Sequence, residues 1–225
     1  MRLRPLATPL LLLALVPATA MTAQSDKKPS DATLGAKPPE GAVELLKGAW
    51  QDRGGKSALW PVLDGVVTVG SGDIMTSERF GNFQLHLEFN VPYMPKARGQ
   101  ARGNSGVFLE GIHELQVLDS YGLKPMDNDC GAIYKQIVPA VNACKPPLQW
   151  QTYDVTFHKA VVENGKVIKK ARVTVVHNGL TTIDNAEIST TPGGIDLKEG
   201  EDGPIMLQDH GNAVEYRNIW LKPLN

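Results

Sequence analysis

The stretch that decides the fold is "RGNSGVFLEGIHELQVLDSYG", Arg102 to Gly122. Val107, Leu109, Leu115 and Val117 share one parity of two runs that break at Glu110-Gly111. Alternation of this kind predicts two paired strands with one face in a core. The other parity holds Asn104, Phe108, Glu114, Gln116 and Leu118, with Arg102 and Asp119 near the ends. A face left to water would be filled with Lys, Thr and Glu indifferently. Here it carries Asn, Glu and Gln, which are groups that read hydroxyls or move protons.

The same grammar extends along the chain. "GVVTVG", "FQLHLEFNV", "YDVTFHKAVV", "ARVTVVHNGLTTI", "PIMLQDHG" and "EYRNIWLKPL" are short β-type runs separated by Gly, Pro, Asn and Asp. Asn164-Gly165 and Asn178-Gly179 are strong hairpin signals, because both positions of a tight hairpin turn need positive φ. The best helical window, "AVELLKGAW", is one or two turns at most. Many short strands with regular turns predict an all-β fold: a two-sheet antiparallel β-sandwich in a single domain.

In "GPIMLQDHG", Ile205 and Leu207 share the core parity, so Met206, Gln208 and His210 face the other way. Two separate strands thus each place an amide and a titratable group on a non-core face. A concave polar face of amides and carboxylates suits sugar hydroxyls. His210 beside Asp209 is a candidate general base near neutral pH. His177, just before an Asn-Gly turn, reads as structural. His86 shares its parity with Glu88 and reads as solvated. Trp50, Trp60, Trp150 and Trp220 are dispersed, which predicts core packing rather than a stacking platform.

Residues 1–20 have Arg2 and Arg4, an apolar run from Leu10 to Val16 and a small-residue end, Ala18-Thr19-Ala20. This is the pattern of an export signal cleaved after Ala20. The apolar run falls short of the ~20 residues of a membrane span. Residues 21–42 are polar and Pro-rich and predict a disordered linker, which leaves 43–225 as the sandwich domain. The expected location is the periplasm or exterior of a bacterial envelope. Without Arg2 and Arg4 the net charge moves from −1 to −3, 21 basic residues against 24 acidic. No basic stripe suggests nucleic acid as a partner. Cys130 and Cys144, in a chain bound for an oxidising compartment, predict a disulfide that stabilises by ~3 kcal/mol.

No Gly-x-Ser-x-Gly elbow, phosphate-cradling Gly-rich loop or His-Glu-x-x-His motif is present, which sets aside several enzyme classes. The segments "FGNFQLHLEF", "RGNSGVFLEGIHELQVLDSYG", "DCGAIY", "WQTYDVTF", "ARVTVVHNG" and "GPIMLQDHGNAVEYRNIWLKPL" together resemble the 3-keto-disaccharide hydrolase family. The resemblance runs from about Val43 to Leu224. It implies a jelly roll of the concanavalin or laminin-G type in an exported bacterial protein that cleaves glycosides bearing a ring ketone. On that reading His210 and Glu114 are the acid–base residues. Arg102, Asn104, Gln116 and Gln208 fix hydroxyls or the ketone, and Asp119 and Tyr134 stand behind them. The expected partner is an oxidised sugar or oligosaccharide. A divalent metal ion could be chelated by carboxylate and imidazole with an α-hydroxyketone, although no ligand spacing supports one. The other class open to this architecture is a non-catalytic, lectin-like carbohydrate-binding module.

Overall fold

The computed structural model describes residues 28–225. The export signal and its cleavage site lie outside the described residues. Two antiparallel sheets face each other across one core. The large sheet runs in the order Leu180–Ile188, Ala171–His177, Gln151–His158, Phe83–Asn90, Glu215–Pro223, Val66–Thr68 and Val62–Leu63, with Val43–Glu44 also paired to Glu215–Pro223. The small sheet runs Trp50–Gln51, Ile74–Thr76, Met206–Leu207, Ser105–Leu109 and His113–Val117. Among the described residues no helix is long and apolar enough to cross a membrane. The only helical turns described are Leu45–Lys47 and Gly99–Ala101, three residues each.

The alternation in 102–122 is realised in full. Val107, Leu109, Leu115 and Val117 are completely buried between the sheets, with Val107 opposite Leu115. Glu110 and Gly111 form the turn, both at positive φ. Asn164-Gly165 and Asn178-Gly179 also take positive φ, and each closes a hairpin. Ile205 and Leu207 point into the core, while Met206 sits on the outer face in a small cluster with Met75 and Phe108, capped by Ile195.

Three expectations are corrected. The stretch from Ser30 to Ala36, expected as disordered linker, is a strap across the outer face of the large sheet. Ser30 N donates to Asn178 O (2.9 Å), Gly35 N to Glu88 Oε1 (2.6 Å), and Ala36 O accepts from Trp220 Nε1 (3.1 Å) and Asn218 Nδ2 (3.0 Å). His86 is accordingly fully buried, not solvated: its Nδ1 meets Asp154 Oδ1 at 2.7 Å and its ring stacks on Trp220. Burial alone would raise Glu88, yet hydrogen bonds from Asn218, Arg217 and Gly35 hold its carboxyl below the ordinary value. Trp50 and Trp60 are core residues, whereas Trp220 lies under the strap and Trp150 carries the Arg217 guanidinium 4.0 Å over its ring.

Cys130 and Cys144 are both buried, with their thiols unjoined. Cys130 Sγ lies 3.1 Å from the Tyr153 hydroxyl, which donates to Gln116 O (2.7 Å). His177, as expected, is buried and structural, its Nε2 against Gln151 Oε1 at 3.1 Å. Burial pushes the His177 imidazole down to about 3.

The strap generates a prediction. A chain beginning at Pro38 should lose ~1–3 kcal/mol, because Glu88 stays buried in part and loses a donor. Urea denaturation measures this, and an unchanged midpoint would mean that the strap only rests on the sheet.

Candidate functional site

The site lies on the outer face of the small sheet, where loops cover what alternation leaves polar. Ser105–Leu109 pairs with His113–Val117 so that Gly106 faces Gln116 and Phe108 faces Glu114. A Cβ on Gly106 would fall 2.7 Å from Glu114 Oε1 and 3.1 Å from its Cγ. Only glycine leaves room for the Glu114 side chain to lie across the strand there. On the other flank, Gln208 N donates to Gly106 O (2.9 Å) and Ser105 Oγ to Gln208 O (2.6 Å). These bonds extend the Met206–Leu207 strand far enough to carry Gln208 and His210 beside Glu114.

The result is a cavity of about 150 Å³ lined by Gln100, Asn104, Glu114, Gln116, Tyr134, Pro192, Gly193, Gln208 and His210. Six of the eight residues expected from the sequence meet in it. His210 stands exposed at its rim, while Glu114 and Gln116 form the interior, 3% and 1% exposed. The polar face is therefore neither wet nor apolar. Arg102 and Asp119 lie outside the lining. They pair with each other (Nη2 to Oδ2, 2.6 Å) and, with Asp119 N donating to Arg102 O, clip together the chain entering one strand and leaving the next.

Gln100, Pro192 and Gly193 line the cavity although alternation gives no sign of them, since all three lie outside strands. Gln100 joins a relay of amides. Gln116 Nε2 donates to Asn104 Oδ1 (2.7 Å), Asn104 Nδ2 to Gln100 O (2.7 Å), and Gln100 Nε2 to Asn128 O (2.7 Å). The relay orients the Gln116 amide nitrogen inward to the protein. Pro192 and Gly193 belong to a loop sewn onto the hairpin end: Thr191 N donates to Ile112 O, Glu114 N to Thr191 Oγ1, and Ile195 N to Gly111 O. A Cβ on Gly194 would come within 2.9 Å of Gly111 O, so the loop can lie this close only as glycine.

Electrostatically the interior is dominated by Glu114. Burial, with the negative charge of Asp73 adding to it, pushes its carboxyl up to about 8. Near neutral pH it is therefore largely a proton-bearing acid. Gln208 Oε1 is buried and has no protein partner. Tyr134 is fixed by its backbone, whose N–H donates to Glu114 O (3.0 Å).

A second buried carboxyl lies at the hairpin turn. Glu110 is 0% exposed with both oxygens unpartnered, and burial pushes it to about 8. His113 Nε2 is 3.8 Å from Glu110 Oε2, but burial lowers the imidazole, so the two meet as neutral groups and not as an ion pair. Among the described residues, the ligand atoms of Cys130, Cys144 and His177 converge within 4.8 Å of one another and could hold a metal ion. Glu114 and His210 are not part of that group.

These buried carboxyls predict how stability depends on pH. The folded state keeps protons that the unfolded chain releases above its ordinary value of 4.5. The stability these two carboxyls contribute is therefore complete below about 4.5 and is lost as pH rises through about 8. Glu110→Gln should match the wild type near pH 4.5 and exceed it at pH 8, by a few kcal/mol at most. Equal urea midpoints at pH 8 would show that Glu110 ionises freely in the fold.

Residues 41–222 match the family described as 3-keto-alpha-glucoside-1,2-lyase-like domain. A Bacteroides thetaiotaomicron protein named 3-keto-disaccharide hydrolase is 28% identical over 189 residues, covering 68% of this chain. The chain spans 62% of that relative's length. A solved structure from Parabacteroides distasonis, provisionally assigned as a glycosyl hydrolase, is 38% identical with a TM-score of 0.76 over 83% of this chain and 85% of its own. A second from the same organism, at 22% identity and a TM-score of 0.61 over 83% and 95%, shares the fold. With a match across its whole sandwich, this chain belongs to the 3-keto-alpha-glucoside-1,2-lyase-like domain family.

Proposed function

We propose that this protein cleaves glycosides whose sugar ring already carries a ketone, by elimination followed by hydration. The observation that carries the reading is the cavity's inventory of titratable groups. Its lining holds one carboxyl, Glu114, and one imidazole, His210. Ordinary glycoside hydrolysis uses two carboxylates about 5–5.5 Å or 6.5–9.5 Å apart, and the lining offers no second one.

A ring ketone acidifies the neighbouring C–H. His210, at the rim, takes that proton, and the C–H electron pair becomes an enolate. The enolate expels the glycosidic oxygen as the C–O bond breaks, and Glu114, protonated at neutral pH, supplies the proton that oxygen needs. Water then adds across the resulting enone, its hydroxyl to the former glycosidic carbon and its proton to the neighbouring carbon, giving net hydrolysis. Gln208, whose side chain lines the cavity, suits a sugar hydroxyl. Asn104 and Gln116, held by the amide relay, fix the ring. The family's description names a lyase and the curated relative is named a hydrolase; elimination with and without the hydration step accounts for both words. No step needs the divalent ion considered above. A purely lectin-like module would bind sugar without turnover, and it gains nothing from a buried acid that costs stability above pH 4.5.

The test uses matched glycosides with and without the ketone. Only the keto compounds should react, and turnover should fall as pH rises past about 8, where Glu114 loses its proton. His210→Ala and Glu114→Gln should each lower kcat by ~10²–10⁴ while circular dichroism stays native. Equal rates on both substrates would return the protein to ordinary hydrolysis, and a fully active His210→Ala would remove the assigned base.

The reading includes export, with the mature chain beginning near Met21 and working in the periplasm or outside the cell. In an oxidising compartment the adjacent thiols of Cys130 and Cys144 would close to the bridge expected from the sequence. Thiol titration of denatured, unreduced protein recovered from the host envelope should find no free sulfhydryl. Two free thiols accompanied by bound metal would instead assign Cys130, Cys144 and His177 to an ion.

A further inference from the structure

Two walls of the cavity, the Pro192-Gly193 loop and the Gln208–His210 strand end, come from parts of the chain far from Glu114 in sequence. Both are tied to a charged pair that the chemistry above leaves unused. Gln51 pairs with Met75 across the first two strands of the small sheet. Continuing that register two residues beyond the strands places Arg53 opposite Asp73, and Arg53 Nε donates to Asp73 Oδ2 at 2.6 Å.

The rest of the guanidinium reaches the loop: Nη1 donates to Gly194 O (3.2 Å) and Nη2 to Gly193 O. The other Asp73 oxygen, Oδ1, accepts from Asp209 N (2.8 Å). The Asp209 carboxylate is spent on backbone, accepting from Gly72 N (2.9 Å) across the sheet edge and from Gly211 N (2.8 Å) in its own turn. Asp209 therefore shapes the backbone that presents His210 and does not act as its partner.

We propose that Arg53 is a positioning residue of this site: it holds the Gly193 wall directly, holds the His210 turn through Asp73, and balances the Asp73 charge that acts on Glu114. The inference rests on the proposed roles of Glu114 and His210. A partly exposed ion pair adds little to stability, and Arg53 is 42% exposed. Its effect should accordingly be read in geometry and proton affinity, not in folding. Lysine cannot replace it fully, because one ammonium is a point charge and cannot span a carboxylate and two carbonyls as the guanidinium fork does. The titratable groups around Glu114 are His210 and Tyr134 in the cavity lining, Asp73 outside it, and Tyr216 from the core, whose phenol Glu114 helps to raise. Of these, Asp73 alone is ion-paired to Arg53.

The experiment titrates Glu114 by carboxyl-carbon NMR in the intact chain, with Glu114→Gln assigning the resonance, alongside steady-state kinetics on a keto-glycoside. Arg53→Gln leaves the Asp73 charge unbalanced and should move the Glu114 midpoint up. Asp73→Asn removes the charge and should move it down. Arg53→Lys keeps the charge and the wild-type midpoint, but loosens the wall and should lower kcat/KM by roughly tenfold or more. If Arg53→Gln fails to fold, Asp73→Asn and Arg53→Lys carry the test. Unmoved midpoints in the charge variants, with kcat/KM of Arg53→Lys within twofold of wild type, would overturn the inference. The midpoints are read without substrate, so a chain that turns over no keto-glycoside but shows the opposed shifts would overturn the proposed function and leave the charge coupling standing.

Discussion

The structure depends on one constraint: a single two-stranded ribbon, Ser105–Leu109 with His113–Val117, is buried on both faces. One face meets the large sheet with Val107, Leu109, Leu115 and Val117. The other is withdrawn from water without being made apolar, and Glu114 lies across Gly106 inside it. A carboxyl in such a place keeps its proton to about pH 8, because ionising it would put a charge where little water reaches it. The fold accepts that cost, and what it gains is an acid that is loaded at neutral pH.

Everything that covers this face also builds the site. The loop carrying Thr191 to Ile195 caps the apolar cluster of Met75, Phe108 and Met206 on one side and supplies the Gly193 wall on the other. The amide relay from Asn128 through Gln100 and Asn104 to Gln116 occupies donors that would otherwise be buried unpaired. Core packing, loop closure and chemistry are thus coupled through the same few residues, and the Tyr153 hydroxyl on Gln116 O ties the ribbon to the large sheet beneath it.

The alternation of residues 104–118, the Asn-Gly hairpins and the parity of Ile205 and Leu207 made the sandwich, and the grouping of Glu114, Gln116, Gln208 and His210, legible in the sequence. Parity tells which side chains share a face, but not what covers that face. His86 and Glu88 illustrate this: their polar parity reads as solvated, yet a strap some fifty residues earlier in sequence buries them. Gln100 and Gly193 were missed for the same reason, since loops carry no period. Arg102 and Asp119 were grouped with the site because they end the same runs, and their mutual pairing takes them out of the lining.

The most direct measurement is the isotopic composition of the keto-sugar released when the reaction runs in D₂O. Elimination and hydration return a proton from solvent to the carbon beside the ketone. The product should therefore carry deuterium there from the first turnovers, above the level acquired by the same sugar incubated without enzyme. A product that keeps its original hydrogen at that carbon would mean that the C–H bond never broke, and would contradict the account.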